Sequence, residues 1–218
     1  MKKPRICAVL TSEEIGVLEA SAEMADLFEV RIDLIGPHWK TLATALHKPW
    51  IATNRLPGEG GRWTEGETRR KEELVEALCL GASMVDIDLS TPDMAEFVPV
   101  IKEKAECIIS YHNYKATPRF NDLKTIVQAE LAAGADICKI ATTATDFSDN
   151  LAVLGLIREF PSSRLVVMAM GSAGQPSRLL GPLAGGEFTY AAVTRGQESA
   201  PGQLPLAETY HLYRMLKA

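Results

Sequence analysis

One lysine stands inside a short apolar run, where a charge is costly unless it is paired or neutralised. The run reads DICKIATT, residues 136–143, and Lys139 lies between Cys138 and Ile140. Such a lysine either forms a structural ion pair or gives up its proton and becomes a nucleophile. The run therefore supports two hypotheses, a structural ion pair and a lysine that forms an imine with a ketone.

A histidine closes the apolar run that comes before this one along the chain. His112 ends CIISYH, residues 107–112, whereas the other three histidines fall in helical patterns. Neighbouring strands lie about 4.8 Å apart, so inward side chains near the ends of two such strands can reach one substrate. A histidine could then remove the proton next to a lysine imine, which accepts the electron pair. Lys139 and His112 together predict imine catalysis, and a structural role is the alternative for each.

A third feature is a glycine-rich turn that leaves another apolar run. The segment GSAGQPSRLLG, residues 171–181, enters a predicted helix near Pro176. N–H groups at a helix start, with Arg178 in the first turn, predict an anion site. A carboxylate and a phosphate would both fit, and a tight turn with a solvated arginine is the alternative.

Eight short runs rich in β-forming residues alternate with helical patterns along the chain, without a linker between them. This alternation predicts a single (β/α)8 barrel over residues 1–218. An open doubly wound sheet would need a glycine-rich phosphate loop after the first strand, where the chain reads TSEEIG. The predicted strands are Arg5–Leu10, Leu27–Leu34, Pro49–Arg55, Met84–Leu89, Cys107–His112, Ile137–Thr142, Leu165–Met170 and Phe188–Val193.

Charged residues alternate with aliphatic ones inside two of these strands. In FEVRIDL, Glu29, Arg31 and Asp33 share one face, and in MVDIDL the same applies to Asp86 and Asp88. The outward face of a barrel strand packs against helices and must be apolar, so the charges should line the interior. They form either a self-contained ion network or a site for a small polyhydroxylated ligand at the carboxyl ends of the strands.

Composition narrows the class of protein. The 218 residues carry a net charge of −5, spread along the chain, which argues against a nucleic-acid partner. No apolar run reaches the length of about 18 residues that a membrane span needs. The four cysteines show no C-x-x-C spacing and fit buried positions in a reducing cytoplasm. These features predict a cytoplasmic protein whose partner is a small molecule or a second copy of itself.

Six short motifs follow one another along successive predicted strands: EVRID (29–33), NRLPGEGG (54–61), SYHN (110–113), CKIA (138–141), SR (177–178) and SAPGQ (199–203). Each motif alone is weak, but their order is specific. In this order they resemble one family, the type I 3-dehydroquinate dehydratases of the shikimate pathway, and the resemblance covers nearly the whole chain.

The resemblance implies an activity and a mechanism. Lys139 would form an imine with the C3 ketone of 3-dehydroquinate, and His112 would remove the C2 proton and then help the C1 hydroxyl leave as water. The product would be 3-dehydroshikimate. Glu59, in the loop after the third strand, would orient and polarise the histidine.

The same resemblance assigns the binding residues. Arg178 would hold the substrate carboxylate, and Ser199 and Gln203 would belong to a loop that closes over the substrate. The ring hydroxyls would meet Glu29, Arg31 and Arg55. The resemblance further implies that no metal and no dissociable cofactor take part, and that the protein is a homodimer.

Two rival functions fit the same residues. A class I aldolase would also use a lysine imine, but it would need a phosphate pocket in the loops after strands seven and eight, where the last loop reads TRGQESAPGQ. A sensor that binds the ligand without turnover would have no need of Lys139, His112 and Glu59.

Pro57, Gly58 and Trp63 depart from the family pattern, so they affect the expected pose of Glu59.

Overall fold

The computed structural model describes residues 3–14 and 16–216, without the side chains of residues 17 and 19. Eight parallel strands form one sheet that curves into a nearly closed barrel. The strands are β1 (Ile6–Leu10), β2 (Leu27–Arg31), β3 (Trp50–Thr53), β4 (Met84–Asp88), β5 (Glu106–His112), β6 (Ile137–Thr143), β7 (Leu165–Met170) and β8 (Thr189–Ala192).

The strands are neighbours in chain order, and β8 pairs with β1. Two backbone hydrogen bonds bridge the seam between β7 and β8: Glu187 N–H donates to Leu165 O at 2.8 Å, and Gly171 N–H donates to Pro201 O at 3.0 Å. The predicted (β/α)8 barrel is confirmed. An arrangement of this kind brings the carboxyl ends of all strands to one rim, where barrels of this fold place their active sites.

Helices follow the strands and cover the outside of the sheet. None of the helices in the described residues is both long and apolar enough to span a membrane. They are α1 (Gly16–Ser21), α2 (Ile32–Ile35), α3 (Trp39–Thr44), α4 (Glu67–Cys79), α5 (Met94–Lys102), α6 (Phe120–Ala132), α7 (Ser148–Glu159), α8 (Gln175–Leu183) and α9 (Leu206–Met215).

Several predicted strands were too long, and the second overran most at its carboxyl end. The alternation over Leu27–Leu34 predicted a strand that continues through Asp33, but β2 ends at Arg31 and the chain turns into the four-residue helix α2. The Asp33 carboxylate folds back and accepts two hydrogen bonds from Arg31, at 2.9 and 2.7 Å. Asp33 lies two residues after Arg31, so in the sequence its charge continues the alternating pattern of β2 although the strand has already ended.

The barrel interior has two layers of opposite character. The layer near the amino ends of the strands is apolar and includes Cys7, Leu27, Ile51, Ile108 and Val166. The layer near the carboxyl ends holds buried polar and charged groups: Glu29, Arg31, Thr53, Arg55, Asp86, Asp88, Ser110 and Lys139. The aliphatic layer stabilises the barrel near the amino ends of the strands, while the polar layer faces the rim formed by their carboxyl ends.

Strand β6 shows how alternation sets these layers. Ile137 and Ala141 pack in the interior cluster, as expected for neighbours of Lys139 on the inward face. Cys138 and Ile140 pack in the outer cluster together with residues of the helices α6 and α7. The period of two along a strand thus places the lysine inside the barrel and anchors its neighbours outside.

Candidate active site

A cavity opens at the carboxyl ends of the strands. Eight of the nine residues singled out in the sequence line it, and the ninth, Glu59, lies behind His112. The lining includes Glu29, Arg31, Arg55, His112, Lys139, Arg178, Ser199 and Gln203, together with Tyr114, Ala141, Met168, Met170, Tyr190 and Ala200.

Lys139 is buried, with only 6% of its surface exposed, and two carboxylates and an aromatic ring surround its amine. Its Nζ donates a hydrogen bond to Asp86 Oδ2 at 2.6 Å and lies 3.8 Å from Glu29 Oε1. The ring of Tyr190 lies beneath it, 4.3 Å from Nζ to the ring centroid. The lysine therefore has the ion pair of the structural hypothesis and also borders a cavity, as the catalytic hypothesis requires.

Asp86 links the lysine to a second cation. Arg55 Nη2 lies 2.8 Å from Asp86 Oδ1, while Arg55 Nη1 lies 3.1 Å from Asp88 Oδ1. Burial alone would raise the pKa of Asp86, but Arg55 and Lys139 outweigh it and bring this pKa to about 2. Asp86 is thus ionised at pH 7 and supplies a fixed negative charge beside the lysine nitrogen.

His112 is held between a carboxylate and a cation. Glu59 Oε2 lies 3.2 Å from the His112 Nδ1 and also accepts the backbone N–H of His112 at 3.2 Å. Arg55 Nη1 lies 2.5 Å from both ring nitrogens. Burial lowers the pKa of His112 well below its ordinary 6.5, and the nearby Arg55 and Lys139 add to the effect. The imidazole is therefore neutral at pH 7, the state of a general base.

Glu59 sits in a tight turn after β3. Residues Pro57–Glu59 form a 3-10 turn that ends at Gly60 in the left-handed region, with a φ of 79°. Ser90 Oγ donates to Glu59 Oε1 at 3.3 Å, which leaves the other oxygen for His112. Burial, followed by the charge of Asp88, raises the pKa of Glu59. The turn places the carboxylate against Nδ1 of His112.

Arg178 is a buried cation that lacks an acidic partner among the side chains that the structure describes. Its Nη2 donates to Pro201 O at 3.0 Å and its Nη1 contacts Met168 Sδ at 3.4 Å, while Nε has no hydrogen-bond partner there. Burial lowers the pKa of this guanidinium to about 10. A buried guanidinium with donor capacity left over is suited to an anionic ligand such as a carboxylate or a phosphate.

One part of the predicted anion site was wrong. The backbone N–H groups at the start of α8 were expected to face the ligand. Instead, the Ser177 N–H donates to Asn150 Oδ1 at 2.9 Å, and the Ser177 hydroxyl donates to Gly174 O at 2.7 Å. Asn150 of α7 occupies this helix start, so the group that the segment presents to the cavity is the side chain of Arg178.

The remaining predicted residues frame the cavity on two sides. Thr53 Oγ1 donates to Glu29 Oε1 at 2.8 Å, and the Asp33 carboxylate orients the buried Arg31. On the other side, Ser199 donates through its N–H and its hydroxyl to Gln203 Oε1, at 2.8 and 3.2 Å. Each of these side chains is thus held in place by a neighbour.

The loop of Ser199 and Gln203 packs closely on the end of β7. Gly202 has a φ of 75°, and a Cβ on it would lie 2.2 Å from Gly171 O. Only glycine permits this approach, because both the backbone angle and the space exclude a side chain. The carbonyl of Pro201 accepts hydrogen bonds from Gly171 and from Arg178, so the loop is tied to the guanidinium of Arg178.

A family model described as type I 3-dehydroquinase matches residues 6–218. The chain belongs to this family. A 3-dehydroquinate dehydratase of Dehalococcoides mccartyi is 41% identical over 214 residues, which cover 98% of this chain and 96% of the relative. A 3-dehydroquinate dehydratase of Methanosarcina mazei is 33% identical over 233 residues, which cover 99% and 96%.

Solved structures of other 3-dehydroquinate dehydratases have a fold similar to that of this type I 3-dehydroquinase chain. The 3-dehydroquinate dehydratase of Geobacillus kaustophilus has a TM-score of 0.86 at 26% identity and covers 99% of this chain and 92% of its own. The enzyme of that name from Aquifex aeolicus has a TM-score of 0.82 at 28% identity, with coverage of 97% and 98%.

Three residues of this dehydroquinase site had no assigned role at the level of sequence. Asp86 was placed in the interior by strand alternation, but its pairing with Lys139 was not foreseen. Tyr190 of β8 and Tyr114, two residues beyond His112, also border the cavity. The Tyr114 ring stacks near His112 with 6.4 Å between centroids. Strand alternation was the signal for Asp86, whereas no motif in the sequence singled out Tyr114 or Tyr190.

The carboxylates near His112 could also hold a metal ion. Ligand atoms of Glu59, Asp88 and His112 lie within 4.8 Å of one another. The guanidinium of Arg55, however, reaches Asp88 at 3.1 Å and both imidazole nitrogens at 2.5 Å. The arginine already supplies the positive charge that these donors attract.

Proposed function

We propose that this protein dehydrates 3-dehydroquinate to 3-dehydroshikimate through an imine on Lys139. The family supports the substrate and the reaction. The carrying observation is that one cavity holds a buried lysine, a neutral histidine and a guanidinium that has no acidic partner among the described side chains. These are a nucleophile, a base and a carboxylate receptor, and the substrate has a ketone, an acidic C–H and a carboxylate.

Binding begins with the charges. The substrate carboxylate pairs with Arg178, whose Nε has no partner in the described part of the chain and whose Nη2 is bound only to a carbonyl. The ring hydroxyls meet Glu29, Arg31 and Arg55. Ser199 and Gln203 close the loop over the ligand and exclude water.

Imine formation places a positive charge on the lysine nitrogen. The Lys139 amine, once it has lost a proton, adds to the C3 carbonyl, and the resulting carbinolamine loses water to give a protonated imine. Asp86, 2.6 Å from Nζ, balances this charge. The ionised Asp86 therefore stabilises the intermediate without taking up a proton itself.

His112 then acts in both directions. Its neutral imidazole removes a C2 proton, and the C–H electron pair moves into the imine to form an enamine. The enamine returns the pair, the C1–O bond breaks, and the imidazolium protonates the departing oxygen so that water leaves. Glu59 stabilises the transient imidazolium through Nδ1. Hydrolysis of the conjugated imine by water releases 3-dehydroshikimate and restores Lys139.

Turnover measurements test this proposal directly. We expect 3-dehydroquinate to give a product with the ultraviolet absorbance of a conjugated enone, and a panel of sugar phosphates to give no aldol cleavage. Aldol cleavage without dehydration would refute the proposal in favour of an aldolase. Binding of 3-dehydroquinate without any product would refute it in favour of a sensor.

Two further expectations accompany the proposal. A biosynthetic role in the shikimate pathway and four free cysteines support a cytoplasmic location. The resemblance to the family supports a homodimer. Light scattering of the purified protein would give about twice the chain mass of 23.7 kDa if this is correct, and the single mass if it is wrong.

A further inference from the structure

The aromatic face beneath Lys139 has no role in the steps above. Tyr190 lies on β8, is 5% exposed, and its ring centroid is 4.3 Å from the lysine Nζ. Phe188 packs edge-on against it, with 5.3 Å between centroids and an interplanar angle of 78°. The ring is therefore fixed in orientation, with its face rather than its edge toward the cation.

The hydroxyl of Tyr190 does not explain why a tyrosine stands here. This oxygen is buried and has no hydrogen-bond partner among the atoms that the structure describes. Burial raises the pKa of Tyr190 well above 10, so the phenol stays neutral. The contact with Lys139 is made by the ring, and a neutral ring attracts a cation through its quadrupole.

We propose that the face of Tyr190 binds the charged nitrogen of Lys139, first as the ammonium and then as the protonated imine. This inference rests on the proposed function. A ring face within about 6 Å stabilises a cation but gives a neutral imine or an enamine almost nothing. Tyr190 therefore favours the protonated imine, the form that can accept the electron pair from C2.

Other groups near this nitrogen also influence its charge. Carboxyl groups face it from β2, β4 and α6, an arginine from the loop after β3, a histidine from β5 and a thiol from β1. They are Glu29, Asp86, Asp88, Glu130, Arg55, His112 and Cys7. A test of Tyr190 must leave all of them in place, which excludes truncation as the main experiment.

Fluorine atoms added one at a time to the ring weaken its quadrupole, and with it the attraction for a cation, while the ring keeps nearly the same shape. Position 190 is filled with phenylalanine, then with phenylalanines that carry one to five fluorine atoms, by incorporation of non-natural amino acids. Cyanoborohydride, which reduces protonated imines, is added with 3-dehydroquinate at a series of pH values. The readout is the pH on the alkaline side at which labelling of the Lys139 peptide falls to half.

The expected result is a stepwise shift of that half-point to lower pH as fluorine is added. A cation–π contact of the usual strength corresponds to about 0.4–1.5 pH units over the whole series. Tyr190→Phe keeps the face and should match the wild type. Tyr190→Leu removes it and should match the most fluorinated ring, with a thermal unfolding curve to verify that it is folded.

The outcomes separate the two proposals. If the wild-type protein is labelled and the half-point does not move along the series, the inference on Tyr190 is wrong while the imine mechanism stands. If the wild-type protein turns over 3-dehydroquinate without any label on Lys139, the mechanism is wrong and the inference falls with it. A shift caused by Tyr190→Phe alone would assign the effect to the hydroxyl and also refute it.

Discussion

Replacement of Arg178 by methionine should stabilise the free protein and impair its activity. Burial lowers the pKa of this guanidinium from 12.5 to about 10. At about 1.4 kcal/mol per pH unit, its charged form is disfavoured by about 3 kcal/mol. Methionine removes this cost and also two contacts, with Pro201 O and Met168 Sδ, worth about 1 kcal/mol each. The free energy of unfolding should therefore rise by about 1 kcal/mol.

The effect of Arg178→Met on catalysis should have the opposite sign. The substrate carboxylate loses its charged partner in a buried site, which costs about 2 kcal/mol or more. The value of kcat/KM for 3-dehydroquinate should fall by at least about 30-fold, mostly through KM. The two assays are urea unfolding without substrate and steady-state kinetics followed by product absorbance.

A matched control isolates the effect of burial. Arg158 lies near the end of α7 and is exposed. Arg158→Met should change the free energy of unfolding by no more than about 0.5 kcal/mol, with kcat/KM unaffected. If Arg178→Met destabilised the protein and left KM unchanged, Arg178 would be a structural residue and the reasoning would be refuted.

Three other predictions concern His112 and the turn that supports it. His112→Ala should lower kcat by about 10²-fold or more while Lys139 labelling persists, and unchanged turnover would remove this base from the mechanism. Gly60→Ala should lower both stability and kcat, because its Cβ would lie 2.0 Å from the Tyr114 hydroxyl and move the turn of Glu59. Gly66→Ala has a similar φ of 85° and open space around the Cβ, so it should cost only about 1–2 kcal/mol of backbone strain, with kcat preserved. Equal kcat losses in the two glycine variants would contradict this reading. The pKa of His112 lies well below 6.5 in the folded protein, so below about pH 6.5 the unfolded chain binds a proton there that the folded chain does not. The free energy of unfolding should fall as the pH drops from about 7 to 5.5, and less so in His112→Gln; equal pH dependence in both proteins would contradict the burial of a neutral imidazole.

The placement of the main residues could be predicted because it depends on local rules. Alternation along β6 puts Lys139 inside, and the parallel order of the strands puts His112 on the adjacent strand. Neither step requires knowledge of the packing. The polar layer of the interior followed in the same way, since the outward face of each strand has to meet helices.

What could not be predicted depends on contacts across the barrel. Asp86 on β4 reaches Lys139 on β6, two strands away, and this depends on the barrel's curvature and on side-chain rotamers. The pairing of Asp33 with Arg31 depends on where β2 ends. The capture of the α8 start by Asn150 depends on how α7 and α8 pack.

The central claim is that Lys139 carries the substrate as an imine, and reductive trapping tests it most directly. The wild-type protein is treated with borohydride in the presence of 3-dehydroquinate, digested, and analysed by mass spectrometry, with Lys139→Met as the control. The account predicts that the reduced ligand is attached to the peptide of Lys139, that activity is lost in proportion, and that the variant is neither labelled nor active. A label on another lysine, or full turnover by Lys139→Met, would contradict it.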